Sequence, residues 1–281
     1  MERNDKAAIE ALLKRHGFHF SKSMGQNFLI DATIPAAIAE ASEAGEGNGV
    51  LEIGPGIGPL TQQLCLRAGK VCAVEVDERL KPILDVTVGN FSNLEILWGD
   101  VLKQDIPALV KEKFGTLRPM ACANLPYYIT SPILTALLEA ECFQSVTVMV
   151  QKEAADRLAA VPGTRASSAI SCAVNYYATS KLMFTAAPGS FYPAPKVTSA
   201  VVRMDIRPTP AVQVEDEAGY FALVRAAFGQ RRKTAANAIA GGLNLPKEKV
   251  IAAIESAGFD ARIRPEALTL EDFAKIQQAL G

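Results

Sequence analysis

The sequence predicts a doubly wound α/β domain followed by a small all-helical domain. Three observations predict it. Between residues 50 and 150, short continuous apolar runs alternate with helix-like segments, the pattern of a parallel sheet covered on both faces. The first of those runs enters a glycine-rich turn, Gly54-Pro55-Gly56-Ile57-Gly58, where sheets of this kind hold ligands. Beyond the linker Arg207-Pro208-Thr209-Pro210 only helix signals remain. The predicted domains are therefore residues 1–207 and 208–281.

In chain order, a first helix is expected from Lys6 to His16, capped by Asn4 or Asp5 and stopped by Gly17. Ile9, Leu12 and Leu13 form its apolar stripe. A polar linker, Ser21 to Asn27, leads to Phe28-Leu29-Ile30, and Asp31 is expected to cap a second helix to about Ala44. The alternation then begins. Strands are expected at Val50–Ile53, Val71–Val76, Leu94–Trp98, Met120–Ala123 and Val146–Val150. Helices are expected at Pro59–Ala68, Glu78–Val88, Pro107–Phe114 and Pro132–Glu141. Leu182–Ala186 and Ser199–Ile206 read as an antiparallel pair at the sheet edge, separated by a long proline-containing loop. Four helices are expected at about 217–228, 231–240, 246–257 and 269–280, the last opened by a Thr269/Asp272 capping box.

Composition narrows the function classes. Hydrophobic residues make up 49% and charged residues 21%, which is ordinary for a globular protein. The charged start, Met1-Glu2-Arg3-Asn4-Asp5, has no apolar run, so no signal peptide is expected, and no stretch suits a membrane span. Cys65, Cys72, Cys122, Cys142 and Cys172 are odd in number and irregular in spacing, as in core cysteines of a reducing, cytoplasmic compartment. The two histidines, His16 and His19, are too few for a His-based metal site or a catalytic triad, so no metal is expected. Net charge is −1, yet residues 11–30 and 218–247 contain no acid. Those windows carry Lys14, Arg15 and Lys22, and Arg225, Arg231, Arg232, Lys233 and Lys247. Such windows are either solvated helix ends or a one-sided phosphate-binding face.

The glycine turn lets backbone approach a ligand closely, at Gly54 and Gly56 in particular. Glu75 lies near the carboxyl end of the next strand, where it can accept hydrogen bonds from ribose hydroxyls. The spacing is G-x-G-x-G, whereas a dinucleotide fold expects G-x-G-x-x-G. Glu52, just before the glycines, suits a cationic cofactor better than a pyrophosphate. That favours S-adenosylmethionine over NAD. Asp100 closes the third strand and either accepts from an adenine amine or serves as a turn aspartate.

Asn124-Leu125-Pro126-Tyr127 follows the fourth strand. An amide oxygen and a nearby carbonyl can accept hydrogens from an exocyclic amine, and a tyrosine can stack on a flat heterocycle. These parts suit an adenine held by its N6 amine; the plain alternative is a proline-stiffened strand exit.

Five motifs occur in order across both parts of the chain: Ser23-Met24-Gly25-Gln26-Asn27-Phe28-Leu29, Leu51 to Gly58, Asn124 to Tyr128, Ser190 to Val197, and Phe228-Gly229-Gln230-Arg231-Arg232-Lys233-Thr234. On these residues the chain resembles the bacterial small-subunit (16S) rRNA adenine N6,N6-dimethyltransferases, from about residue 16 to the C-terminus. The resemblance implies a Rossmann-like class I methyltransferase sheet with helices on both faces and a helical rRNA-binding domain. It implies transfer of methyl groups from S-adenosyl-L-methionine to two adjacent adenosines in the 3′-terminal rRNA hairpin. It places Asn27 and Leu29 over the cofactor, Gly54 at its methionine part, Glu75 at the ribose and Asp100 at the adenine. Asn124 would lie between cofactor and target base, with Leu125 and Pro126 shaping that loop and Tyr127 and Phe191 flanking the base. Lys22, Arg231, Arg232 and Lys233 would meet rRNA phosphate. The implied partner is 16S rRNA in an immature small subunit, and the implied active species is a monomer. Ser167-Ser168 and Ala235 depart from the family pattern. A DNA adenine methyltransferase, a large-subunit rRNA methyltransferase, a non-catalytic ribosome-assembly factor and an NAD-dependent dehydrogenase are the competing readings.

Overall fold

The computed structural model describes residues 6–20, 25–230 and 232–281. The proposed caps Asn4 and Asp5 lie outside the described residues. Helix α1, Lys6–Arg15, buries Ile9, Leu12 and Leu13. It ends at Gly17, whose φ of +62° suits a residue without a Cβ. Strand β1, Phe28–Leu29, precedes α2, Thr33–Ser42. Asp31 accepts the Thr33 amide at 3.0 Å and its hydroxyl at 2.6 Å, but the cap position is Ala32, one residue later than expected.

The alternating segment then runs β2 (Asn48–Ile53), α3 (Pro59–Cys65), β3 (Lys70–Glu75), α4 (Lys81–Thr87) and β4 (Leu94–Trp98). It continues with α5 (Ile106–Phe114), β5 (Arg118–Asn124), α6 (Thr130–Glu139) and β6 (Ser145–Gln151). The helix expected over Glu78–Val88 is divided. Asp77 caps a 3-10 turn at Glu78–Leu80, and Pro82 opens α4. Helices α7 (Lys152–Leu158) and α8 (Ala169–Tyr177) follow, then β7 (Ala178–Ala186), β8 (Phe191–Tyr192) and β9 (Ser199–Ile206). The C-terminal helices are α9 (Glu217–Phe228), α10 (Ala235–Leu243), α11 (Lys247–Ser256) and α12 (Leu270–Leu280). Helix α10 starts at Ala235: Thr234 caps it by accepting the Asn237 amide, and Arg232 and Lys233 before it lie in a turn. Thr269 and Asp272 form the expected capping box.

The chain forms two compact units, one holding the chain up to Ala155 together with Lys181–Ile206, the other Asp156–Ser180 together with Arg207–Gly281. In the first unit seven strands are ordered β4-β3-β2-β5-β6-β9-β7. Strands β2 to β6 are mutually parallel, and β9 runs antiparallel to β6. The chain order reverses beside β2, which lies between β3 and β5. A crevice outside the carboxyl ends of those strands is the place for a ligand. Two apolar clusters hold the unit together. One joins Val50, Val71, Met120 and Met149 of the sheet to Leu60 and Leu64 of α3. The other packs Ile9, Leu12 and Leu13 of α1 against Ile83 and Leu84 of α4 and Phe28 of β1. Phe28–Leu29 also pairs antiparallel with Phe191–Tyr192, a two-stranded sheet the sequence patterning did not announce.

In the second unit Ser168 caps α8 in a reciprocal box with Ser171. The Ser167-Ser168 departure thus supplies a helix start. Tyr176 and Tyr177 both donate to the Glu217 carboxylate, joining α8 to α9. Ala235, the other departure, is fully buried. A Cβ at Gly242 would stand 2.6 Å from the Ala226 Cβ, so α9 and α10 meet at small residues.

Candidate active site

The carboxyl edge of the parallel strands opens into one pocket of the first unit. Its wall contains Glu52, Gly54 and Gly56 after β2, Glu75 and Val76 after β3, and Asp100 and Val101 after β4. Asn124, Leu125, Pro126 and Tyr127 line it after β5, and Asn27, Leu29 and Phe191 close it from the β1/β8 pair. Every residue expected at the cofactor or the base is therefore in one cavity.

The glycine turn has left-handed backbone at Gly54, Gly56 and Gly58, with φ of +71°, +60° and +89°. A Cβ at Gly54 would have nothing within 4 Å, so this backbone faces open space. A Cβ at Gly58 would stand 2.8 Å from Val88 Cγ1, so that glycine is needed for packing against α4. The Glu75 carboxylate shapes the turn from the neighbouring strand: Oε2 accepts the Gly56 amide at 3.1 Å and Oε1 the Asp77 amide at 2.9 Å. Burial pushes Glu75 upward in pKa, and those amides oppose the rise.

Glu52 is fully buried, and its Oε2 has no hydrogen-bond partner. Burial pushes its pKa up to about 8; the Thr61 hydroxyl beside it opposes this, and Glu75 adds to it. An unsatisfied buried carboxyl at a pocket wall is costly to leave without a ligand. Asp100 accepts the Leu102 amide at 3.0 Å, so the turn role weighed from sequence is present beside its place in the pocket wall.

The base-side loop is held by backbone. The Leu125 amide donates to the Met149 carbonyl at 3.1 Å, and the Leu125 side chain is buried. The Pro126 carbonyl accepts from the Ile129 amide. The Tyr127 hydroxyl lies 2.6 Å from Ser199 Oγ on β9. Phe191 is only 2% exposed and belongs to the core cluster with Leu29. The strap over the pocket is tied down by Asp77, which accepts from Gln26 Nε2 at 2.7 Å and from Arg79. The Arg79 guanidinium holds the Asp77 carboxyl below the usual range, helped by Gln26.

Several wall residues were not singled out from sequence. Val76 was read as the last strand residue; β3 stops at Glu75, and Val76 is an apolar side chain 54% exposed at the pocket. Its position immediately after the acid was the available signal. Val101 is a further example, whereas Tyr128, 62% exposed, belongs to the motif already read from sequence. The Asp77 network had no sequence signal, because Gln26 reaches it across 51 positions.

In the helical unit Arg232 and Lys233 are exposed in the turn between α9 and α10, and the Lys233 amide donates to the Gln230 carbonyl. Lys22 and Arg231 lie outside the described residues. Among the described residues no group of three or more His, Cys, Asp or Glu side chains could hold a metal ion. Among the described residues no helix is long and apolar enough to cross a membrane. The cysteines are free, and burial pushes Cys65 and Cys172 up to about 12 and Cys72 and Cys142 up to about 11. None is poised as a thiolate at neutral pH.

The model of the family described as ribosomal RNA adenine dimethylase matches residues 17–280. The chain belongs to that family. This rRNA adenine dimethylase is 44% identical over 276 residues to "Ribosomal RNA small subunit methyltransferase A" of Bacillus pumilus (strain SAFR-032), covering 96% of this chain and 94% of the relative. It is 46% identical over 276 residues to the protein of the same name from Geobacillus sp. (strain WCH70), with the same coverage. Among solved structures it is similar to the 23S rRNA methyltransferase ErmE, with TM-score 0.64 and 27% identity over 90% of this chain and 99% of that one. A dimethyladenosine transferase from Plasmodium falciparum shares the fold, with TM-score 0.70 and 24% identity over 89% and 95% of the two chains. Membership makes the chain a methyltransferase of rRNA adenine with S-adenosylmethionine as donor. The DNA and NAD readings fall away.

Proposed function

We propose that this enzyme converts two adjacent adenosines in the 3′-terminal hairpin of 16S rRNA to N6,N6-dimethyladenosine. The supporting observation is the gathering of Glu52, Glu75, Asp100, Asn124 and Tyr127 around one pocket at the point where strand order reverses. The identity of 44–46% to small-subunit enzymes over nearly the whole chain, against 27% to a 23S enzyme, favours the small-subunit substrate.

The donor fits the residues present. The open backbone at Gly54 accommodates its methionine part, and the Glu52 carboxyl, whose Oε2 has no partner, lies where a cation would satisfy it. Glu75 would hold the ribose hydroxyls and Asp100 the adenine amine, with Asn27 and Leu29 closing over them. When bound, that cofactor supplies a methyl group on a sulfonium, whose sulfur keeps the bonding pair as the methyl leaves.

The chain's own task is positioning. The N6 lone pair of adenine is delocalised into the ring, so the amine needs orientation more than a strong base. The Asn124 amide oxygen and the Leu125 carbonyl would each accept an N6 hydrogen, which turns nitrogen density into the pocket. Pro126 stiffens that loop. An amide serves better than a carboxylate here, since it adds no charge that would hold the cationic donor in its ground state. Tyr127 and Phe191 would flank the base. Stacking contributes roughly 1–3 kcal/mol per base. Arg232 and Lys233, with Lys22 and Arg231, would contact rRNA phosphate, consistent with their acid-free windows. The substrate particle is taken to be an immature small subunit in the cytoplasm. The active species is taken to be a monomer, since one chain carries the whole pocket.

The test is Asn124→Ala. It should abolish methyl transfer to rRNA while leaving S-adenosylmethionine affinity, read by calorimetry, within a few-fold of the parent. Near-normal turnover in that variant would sink the assignment.

A further inference from the structure

Tyr127 is a pocket residue whose hydroxyl reaches a residue outside the pocket wall. It lines the cavity together with Asn124, and its oxygen lies 2.6 Å from Ser199 Oγ, while Ser199 is not part of the cavity wall. Ser199 is wholly buried at the start of β9, paired with Gln151 of β6. Strand β6 in turn pairs with β5, where Asn124 stands opposite Met149, the residue whose carbonyl also holds the Leu125 amide. Ser199 therefore sits on the same rigid sheet as the amine grip. The Tyr127 ring is anchored at one end by backbone and at the other by this hydroxyl.

We propose that Ser199 is a positioning residue that determines whether the second methylation follows the first. Resting on the reading that Tyr127 packs against the target adenine, the argument concerns space. Both rounds use the same donor chemistry, and each releases one N6 proton to solvent. The acceptors differ: an amine in the first round, a bulkier methylamine in the second, and the second also has only one N6 hydrogen left for the Asn124 and Leu125 acceptors. Orientation in that round depends more on the wall. A ring pinned to β9 keeps its place and leaves the methyl its room. An unpinned ring can swing into the cavity, and the round with the larger acceptor suffers first.

The test follows both products over time on small subunits with unmethylated rRNA, using purified parent, Ser199→Ala, Tyr127→Phe, the double variant and Ser199→Thr. Loss of one neutral hydrogen bond should slow the second transfer about 2–10-fold, so N6-monomethyladenosine accumulates in both single variants. Because both remove the same bond, the double should match either single within about twofold. Ser199→Thr, which keeps the hydroxyl, should restore the parent ratio of products. KM for the rRNA particle should change less than kcat of the second step. Tyr127→Phe leaves β9 intact, so a folding defect in Ser199→Ala does not remove the test. A parent-like product ratio in both single variants overturns the proposal, as does an additive double. If the parent itself forms no dimethyladenosine, the underlying reading fails instead.

Discussion

Replacing Glu52 by glutamine should make the cofactor-free protein more stable while weakening its cofactor site. In the folded chain burial keeps Glu52 protonated up to about pH 8, against an ordinary value of 4.5. Between those values the folded state holds a proton that the unfolded state has released. The contribution to stability is thus full below pH 4.5 and falls as pH rises toward 8. At about 1.4 kcal/mol per pH unit, the loss is about 3 kcal/mol at pH 7 and roughly 5 kcal/mol above pH 8. Glutamine is uncharged and nearly isosteric, and its amide can face the Thr61 hydroxyl beside it. Glu52→Gln should therefore match the parent near pH 4.5 and exceed it increasingly toward pH 8, as urea unfolding across that range would report. A bound cation would draw the Glu52 proton off, so parent affinity for S-adenosylmethionine should rise with pH up to about 8, with proton release seen by calorimetry in buffers of different ionisation enthalpy. The variant should bind weakly and without that dependence. A stability difference that does not grow with pH refutes the reasoning.

Gly58→Ala should lower stability by roughly 2–5 kcal/mol, from left-handed strain and the approach to Val88; Gly54→Ala, with the same left-handed strain at φ +71° but open space before it, should cost less, about 1–2 kcal/mol, and reduce cofactor affinity as well. An unchanged melting temperature in Gly58→Ala would contradict this. Phe191→Leu keeps an apolar filler in the core but removes the ring, and should cut kcat/KM on rRNA by about 5–150-fold if the ring contributes one stacked face, with cofactor affinity maintained. Replacing Arg232 and Lys233 together by alanine should lower the slope of log affinity against log salt by about 1–2; a parallel shift with unchanged slope would remove them from the phosphate contacts.

Much of the architecture was legible because its patterns are local. The runs at Val50–Ile53 and Leu94–Trp98 are apolar but for one glutamate each, Glu52 and Glu95, are bounded by glycine or polar turns, and lie within β2 and β4. Gly54 to Gly58, Glu75 and Asn124 could be grouped because each follows or ends a parallel strand, and such ends meet at one edge. What was missed depends on distant partners. Phe28–Leu29 and Phe191–Tyr192 are each two residues long, too short for a period, and form strands only through each other. Helices α7 and α8 were overlooked although Ser168 and Ser171 make a reciprocal cap, because a Ser-Ser pair reads equally as a loop. The helix placed at 231 begins at Ala235 because Thr234 caps it and Ile263 accepts the Ala235 amide. Gln26 to Asp77 and Tyr127 to Ser199 are tertiary contacts across 51 and 72 positions, with no trace in local sequence.

The most direct measurement is mass analysis of small-subunit rRNA from cells lacking this protein, beside the same cells carrying the intact chain or its Asn124→Ala form. Two adjacent N6,N6-dimethyladenosines should vanish from the 3′-terminal hairpin without it, return with the intact chain and stay absent with Asn124→Ala. Unaltered paired dimethyladenosines in the deficient cells would contradict the account.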